Sequence, residues 1–114
     1  MSGSAAATKV AAALARYGRA MTLRRRVGTT DTFTDVTVYG VTRSFSPAEL
    51  VADIKQGDME ITISNSEITA AAWPGPPAKG DFIVVDGRSW TLQGAFPRNL
   101  SSTVLAFVLW ARGG

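Results

Sequence analysis

The stretch Gly80-Asp-Phe-Ile-Val-Val-Asp-Gly-Arg-Ser-Trp-Thr-Leu-Gln-Gly-Ala-Phe96 decides the fold. Phe82 to Val85 is a short apolar run. Asp86-Gly87 interrupts it, and Trp90, Leu92 and Phe96 follow at alternating positions. Asp-Gly between two apolar runs signals a two-residue hairpin, because a type I′ turn requires positive φ at both central residues. Strand, tight turn, strand makes the chain mainly β.

The same alternation recurs on either side. Met59 to Ser64 places Met59, Ile61 and Ile63 inward and Glu60, Thr62 and Ser64 outward. Phe33 to Thr42 is a further strand in which Val36 and Val38 share a face. Gly40 interrupts it, which suggests a bulge or a sharp bend. Met21 to Val27 alternates loosely, with Met21, Leu23 and Val27 on one side and Arg24 and Arg26 on the other. The last element, Thr103 to Ala111, is apolar on both faces: Val104, Val108 and Trp110 on one, Leu105, Phe107 and Leu109 on the other. Such a strand needs cover beyond a single sheet, from the amino-terminal helix, from a neighbouring subunit, or from both.

Between these runs, Ser46-Pro47 opens a turn through Glu49 and Leu50. Asn65 to Trp73 is ambiguous; Ser66 is a candidate cap for a short helix that packs Ile68 and Ala72. Pro74-Gly-Pro-Pro77 reads as a stiff surface loop beside an exposed Trp73, and Pro97 to Leu100 as another loop.

Residues 1–20 read as a basic helical arm and 21–114 as a β-barrel domain. Ser4 is positioned to cap a helix from Ala5 to Tyr17, with Gly18 as its stop. Val10, Leu14, Tyr17 and Met21 form one narrow apolar stripe, and Lys9, Arg16 and Arg19 lie away from it. The expected fold is a small antiparallel barrel or sandwich of five to six strands with an N-terminal α-helix.

Composition narrows the chemistry. The 114 residues contain no cysteine and no histidine, which removes disulfides, thiolate metal sites and the commonest general base. Asp58 and Asp81 each follow a glycine just before a strand, and Asp86 sits in the hairpin turn, where aspartate serves backbone hydrogen bonds. No nucleophile elbow or phosphate-cradling glycine loop is present. A Ser–Lys dyad stays formally open, with Lys9, Lys55 and Lys79 in segments that read as exposed. Carboxylate-bound Mg²⁺ or Ca²⁺ is the metal chemistry left. The chain reads as non-catalytic and without a cofactor.

The net charge of +3 is uneven. Residues 1–30 hold Lys9, Arg16, Arg19, Arg24, Arg25 and Arg26 and no acid; the remainder holds six bases and nine acids. A cationic end of this kind suits phosphate or an acidic protein surface, and equally a solvated basic face. The aromatics Phe82, Trp90, Phe96, Phe107 and Trp110 read as core, not as a stacking platform interleaved with bases. No apolar run is long enough to span a bilayer. Ala5 to Ala15 lacks the charge order of a signal peptide, so the chain reads as cytoplasmic.

In order, Thr22 to Arg26, Val38-Tyr-Gly-Val-Thr-Arg43, Gln56-Gly-Asp58 leading into Met59–Ser64, Pro77-Ala-Lys-Gly-Asp81, Asp86-Gly87-Arg88 and a closing strand ending Arg112-Gly113 resemble the small neck proteins of tailed bacteriophages. These are the head-completion, head–tail joining or stopper proteins. The resemblance spans residues 20–113. It implies a β-barrel that forms a homo-oligomeric ring beneath the portal, contacting portal or adaptor and tail proteins, with double-stranded DNA passing non-specifically through its channel. The setting would be the virion neck, and the host cytoplasm during assembly. On that basis Lys9, Arg16, Arg19, Arg24, Arg25 and Arg26 are expected to face the DNA channel or a partner, and Leu105, Phe107 and Leu109 a neighbouring subunit. The connection holding Pro47, Glu49, Leu50 and Asp53 is expected to act as an inter-subunit loop. A free nucleic-acid-binding barrel, or a tail-terminator or decoration subunit, is the alternative.

Overall fold

Asp86 and Gly87 adopt φ of 52° and 79°, and Val85 pairs with Arg88 across them. The turn is therefore type I′. Open space surrounds the position of a Cβ on Gly87. Gly87→Ala is accordingly expected to cost only left-handed backbone strain, about 1–2 kcal/mol, read as a lower urea midpoint at unchanged slope.

A computed structural model describes residues 3–45, 57–100 and 102–113. The elements are α1 (Gly3–Tyr17), β1 (Arg19–Arg26), β2 (Phe33–Ser44), β3 (Met59–Ser64), α2 (Ser66–Ala70), β4 (Phe82–Val85), β5 (Arg88–Leu100) and β6 (Thr103–Gly113). The strands close into an antiparallel barrel in the order β1-β2-β3-β6-β5-β4. Closure, not a sandwich, is the solution. Pro47, Glu49, Leu50 and Asp53 lie outside the described residues.

Alternate residues fill the barrel. Leu23 faces Val36 on one side and Ile83 on the other, while Ile61 meets Leu109 and Ile63 meets Phe107. Leu23, Ile61, Ile63, Ile83, Leu92 and Leu109 have no accessible surface, each contributing roughly 1.5–3 kcal/mol relative to exposure. Gly40 produces no bulge. It pairs in register with Arg19 on β1 and Ile63 on β3, at the point where β2 changes its main partner. A Cβ there would stand 2.7 Å from the Thr62 carbonyl oxygen and 2.8 Å from Ile63 Cγ2. Close approach of strands, not a kink, requires this glycine.

Three expectations about β5 and β6 are corrected. Pro97 to Leu100 is not a loop but the end of β5, paired with β6 as far as Leu100 and Thr103. Phe96 is 53% exposed, because the register slips between Leu92 and Gly94. One extra residue transfers everything beyond it to the opposite face. Phe107 and Leu109 are sealed inside the barrel and Leu105 is half-buried, so the first two form core and not a subunit interface.

α1 packs on the other face of β6, and on β2 and β3, but leaves Val108 and Trp110 only half-buried. Small outward side chains let it approach: Ala106 and Ser64 are buried, so Ser64 does not face solvent as its parity predicts. Gly18 N–H donates to the Leu14 carbonyl at 2.8 Å and ends the helix. Ser4 lies one residue inside the helix, so it is not the cap. The apolar stripe is also shorter than its spacing predicts. Leu14 is buried, Tyr17 is 74% exposed, and Met21 belongs to the strand core, because the 3.6-residue period ends with the helix.

In α2, Ser66 is the first helical residue, and its N–H donates to Ser64 Oγ at 3.0 Å. Ile68 is buried but Ala72 is exposed. Trp73 is not exposed: its ring is buried and its indole N–H donates to the Thr34 carbonyl at 3.0 Å.

Candidate functional site

Outward positions of β2, β3, β6 and β5 line up across the sheet. Val41 stands opposite Thr62, Thr62 opposite Val108, and Val108 opposite Phe96. The neighbouring row runs Arg43, Glu60, Trp110, Gly94. Directly opposed residues lie about 4.5–5.5 Å apart at Cβ, so the rows form one continuous patch. Phe96 is 53% and Val41 38% exposed; Val108 and Trp110 are half-buried. Gly94 makes room for the rings beside it. A Cβ on Gly94 would meet Phe96 Cζ at 3.2 Å and Trp110 Cε3 at 3.6 Å.

The rim of this patch is polar and cationic. Arg43 donates to Glu60 at 2.9 Å. Arg98, two residues beyond Phe96 and on the same face, is exposed and makes no ion pair among the described residues. Lys9 and Arg16 are exposed on α1, again without an ion pair among the described residues.

The remaining basic residues from the amino-terminal segment are held by carboxylates. Arg19 pairs with Asp86. Arg24 forks onto Asp35 at 2.9 and 3.0 Å; that hydrogen bonding, with the coulombic attraction of Asp35, raises its guanidinium above its usual range against a small desolvation effect. Arg26 donates to the Thr30 carbonyl at 2.8 Å and lies 3.6 Å from Asp31.

Arg25 is different. It occupies the inward parity of β1 after Met21 and Leu23, where the sequence pattern points to Val27; Val27 is 46% exposed. Its guanidinium forks onto Asp81 at 2.9 and 2.6 Å, donates to the Pro74 and Pro76 carbonyls, and lies 4.4 Å over the Trp73 ring. Hydrogen bonding to Asp81 raises its pKa, opposed by burial and assisted by the Asp81 charge. Asp81 also accepts the Ala78 N–H at 2.8 Å. Arg25 therefore plugs one end of the barrel.

Because β3 and β4 run in opposite directions, Asp58 lies at the other end. Arg112 forks onto it at 3.0 and 2.9 Å, and the Trp110 indole donates at 2.8 Å. The two aspartates are thus arginine anchors more than turn formers. Their Gly-Asp contexts were legible; arginine partners more than fifty residues away were not.

Contrary to expectation, bases do lie beside strand aromatics: Arg88 is 4.5 Å from the Trp90 ring centre and Arg112 5.8 Å from that of Trp110, and Phe33 has two. Phe33 lies 5.3 Å from the Arg24 guanidinium and 4.9 Å from that of Arg26, with Phe82 edge-on at 6.2 Å. Elsewhere, a groove of about 500 Å³ at the Trp73 end is lined by Ile68, Trp73, Pro76, Val104 and Phe107, with Asn65 and Thr69 as its polar side chains. Among the described residues no cluster of carboxylates could hold a metal ion, and no helix is long and apolar enough to cross a membrane. No family model matches this sequence, and no curated protein matches it. The apolar patch is the candidate site. Val41 was readable as an apolar residue out of phase with Val36 and Val38; Phe96 was hidden by the register slip.

Proposed function

We propose that the chain is a structural subunit of the neck of a tailed-phage virion. With its own copies it forms a ring beneath the portal, completes the head and joins it to the tail around the DNA channel. The observation that carries this reading is the row Val41–Thr62–Val108–Phe96, with Val41 and Phe96 exposed and Thr62 and Val108 half-buried, on a barrel whose interior is already packed. Contiguous apolar side chains left in water mark protein–protein contacts. The ordered motifs between Thr22 and Gly113 supply the neck setting. The subunit binds and does not catalyse, and its partners are its own copies, the portal or an adaptor, and tail proteins.

Phe96→Ser tests the reading. Most of this side chain is in water, so stability is expected to stay within about 0.5 kcal/mol of the parent while joining to the portal or tail partner is lost. Light scattering of the chain with portal complex, and micrographs of purified particles, provide the measurement. A chain missing from the particles that stays monomeric beside the portal overturns the proposal.

A nucleic-acid-binding barrel is the second reading, favoured by Phe33 between Arg24 and Arg26. It requires salt-sensitive binding of a short oligonucleotide that weakens in Arg24→Ala and Arg26→Ala. Asp35 and Asp31 already occupy both guanidinium groups, which ranks this reading below the first.

A further inference from the structure

Resting on the reading of the chain as an assembly subunit, we propose that the Phe96 patch docks a different protein surface, one with an apolar centre and a rim of carboxylates. The reason lies in which charges are already paired. Every described carboxylate except Glu67 is held by an arginine: Asp86, Asp35, Asp81, Asp31, Glu60 and Asp58. Apart from Glu67, what remains without an ion pair among the described residues is cationic: Lys9, Arg16, Lys79, Arg88 and Arg98.

Arg98 belongs to the face of the patch, and Lys9 and Arg16 to the helix that packs on the same strands. Arg98 follows Phe96 by two positions on β5, opposite Ala106. Lys9 and Arg16 are carried by α1, which lies across β6, β3 and β2. The centre of the patch is Phe96, Val108, Val41 and the Trp110 ring. The carboxylates beside it are both paired: Asp58, which accepts the Trp110 indole N–H at 2.8 Å, with Arg112, and Glu60 with Arg43, each at 2.9 Å. An apolar centre with a positive rim is complementary to an apolar centre with a negative one.

The same layout disfavours two other occupants. A two-fold contact would set the patch against itself, bringing the unpaired Arg98 of both copies into one interface with no free carboxylate to meet it, and like charges so placed repel. A duplex offers phosphates but no apolar surface for Phe96, Val41 and Val108, and phosphate desolvated against them gains no partner. The contact is therefore heterologous, made with a surface unlike the patch.

Isotope-labelled full chain, titrated with two designed helical peptides in an NMR experiment, tests this. The peptides share a leucine face and differ only in glutamate or lysine flanks. The glutamate peptide is expected to shift the resonances of Phe96, Arg98 and Val108, with binding weakened about tenfold or more by Arg98→Glu and by added salt. Equal binding of the lysine peptide overturns the proposal. So does a DNA duplex that shifts these resonances where the glutamate peptide does not, or their movement with protein concentration alone, which would mark a second copy. A chain that assembles into the neck ring yet ignores the glutamate peptide refutes the acidic partner and leaves the neck reading standing. Binding of the glutamate peptide at the patch by a chain absent from virions supports the docking chemistry and refutes the neck.

Discussion

Gly40→Ala is expected to destabilise the barrel by about 3 kcal/mol, enough to lower Tm by more than about 10 °C in a domain of this size. The new methyl group would enter 2.7 Å from a backbone oxygen of Thr62 and 2.8 Å from Ile63 Cγ2. Neither can retreat: Thr62 is hydrogen-bonded into β3 between β2 and β6, and Ile63 is buried against Phe107. Only Met21 Sδ, 3.3 Å away, is flexible enough to move aside. On its other side Gly40 supports the end of α1, since a Cβ on Gly18 would collide with the Gly40 carbonyl oxygen. Displacement of β2 at this point therefore also loosens α1. Denaturant unfolding measures the first effect, and faster amide exchange in α1 the second. A loss no larger than that of Gly87→Ala would show that β2 and β3 part easily here, contrary to the packing.

The contrast between these glycines shows what the sequence discloses. The turn at Asp86-Gly87 is local chemistry, and two residues suffice to specify it. The face assignments of Val36, Val38, Ile61 and Ile63 are likewise local, since alternation with period two survives wherever the strand is regular. Closure of the barrel is not local. Nothing in the apolar run from Phe82 to Val85 says that β4 must reach β1 through Thr22, Leu23 and Arg24. The candidate patch was half legible. Val108 and Trp110 share a face in the sequence, but the register slip near Gln93 placed Phe96 beside them instead of in the core. The double apolar character of β6 was legible too, and its causes are separate: the barrel interior takes Phe107 and Leu109, and the outer face, on which α1 packs, holds Val108 and Trp110 half-buried.

Arg25→Ala is expected to cost about 3–5 kcal/mol, whereas Arg24→Ala and Arg26→Ala are each expected to unfold close to the parent midpoint, as exposed ion pairs add little to stability. Three consecutive arginines read as one basic patch, yet burial divides them. The Asp81 carboxylate paired with Arg25 is 8% exposed, against 43% for Asp35 and 108% for Asp31. Removing Arg25 leaves a buried charge without its fork. It also releases the exposed Pro74 and Pro76 carbonyls to water and uncovers Trp73. Loss of the arginine stem adds a packing deficit, which Arg25→Met separates from the loss of charge. Asp81→Asn completes a double-mutant cycle with Arg25→Met, and strong coupling between them is the signature of the pair. Trp73 makes the event visible, because a ring stripped of its cation and exposed to water changes its fluorescence. If all three alanine variants instead unfold at the parent midpoint, Arg25 is a surface charge like its neighbours. The plug at the Trp73 end would then contribute nothing to holding β1 against the loop that leads into β4.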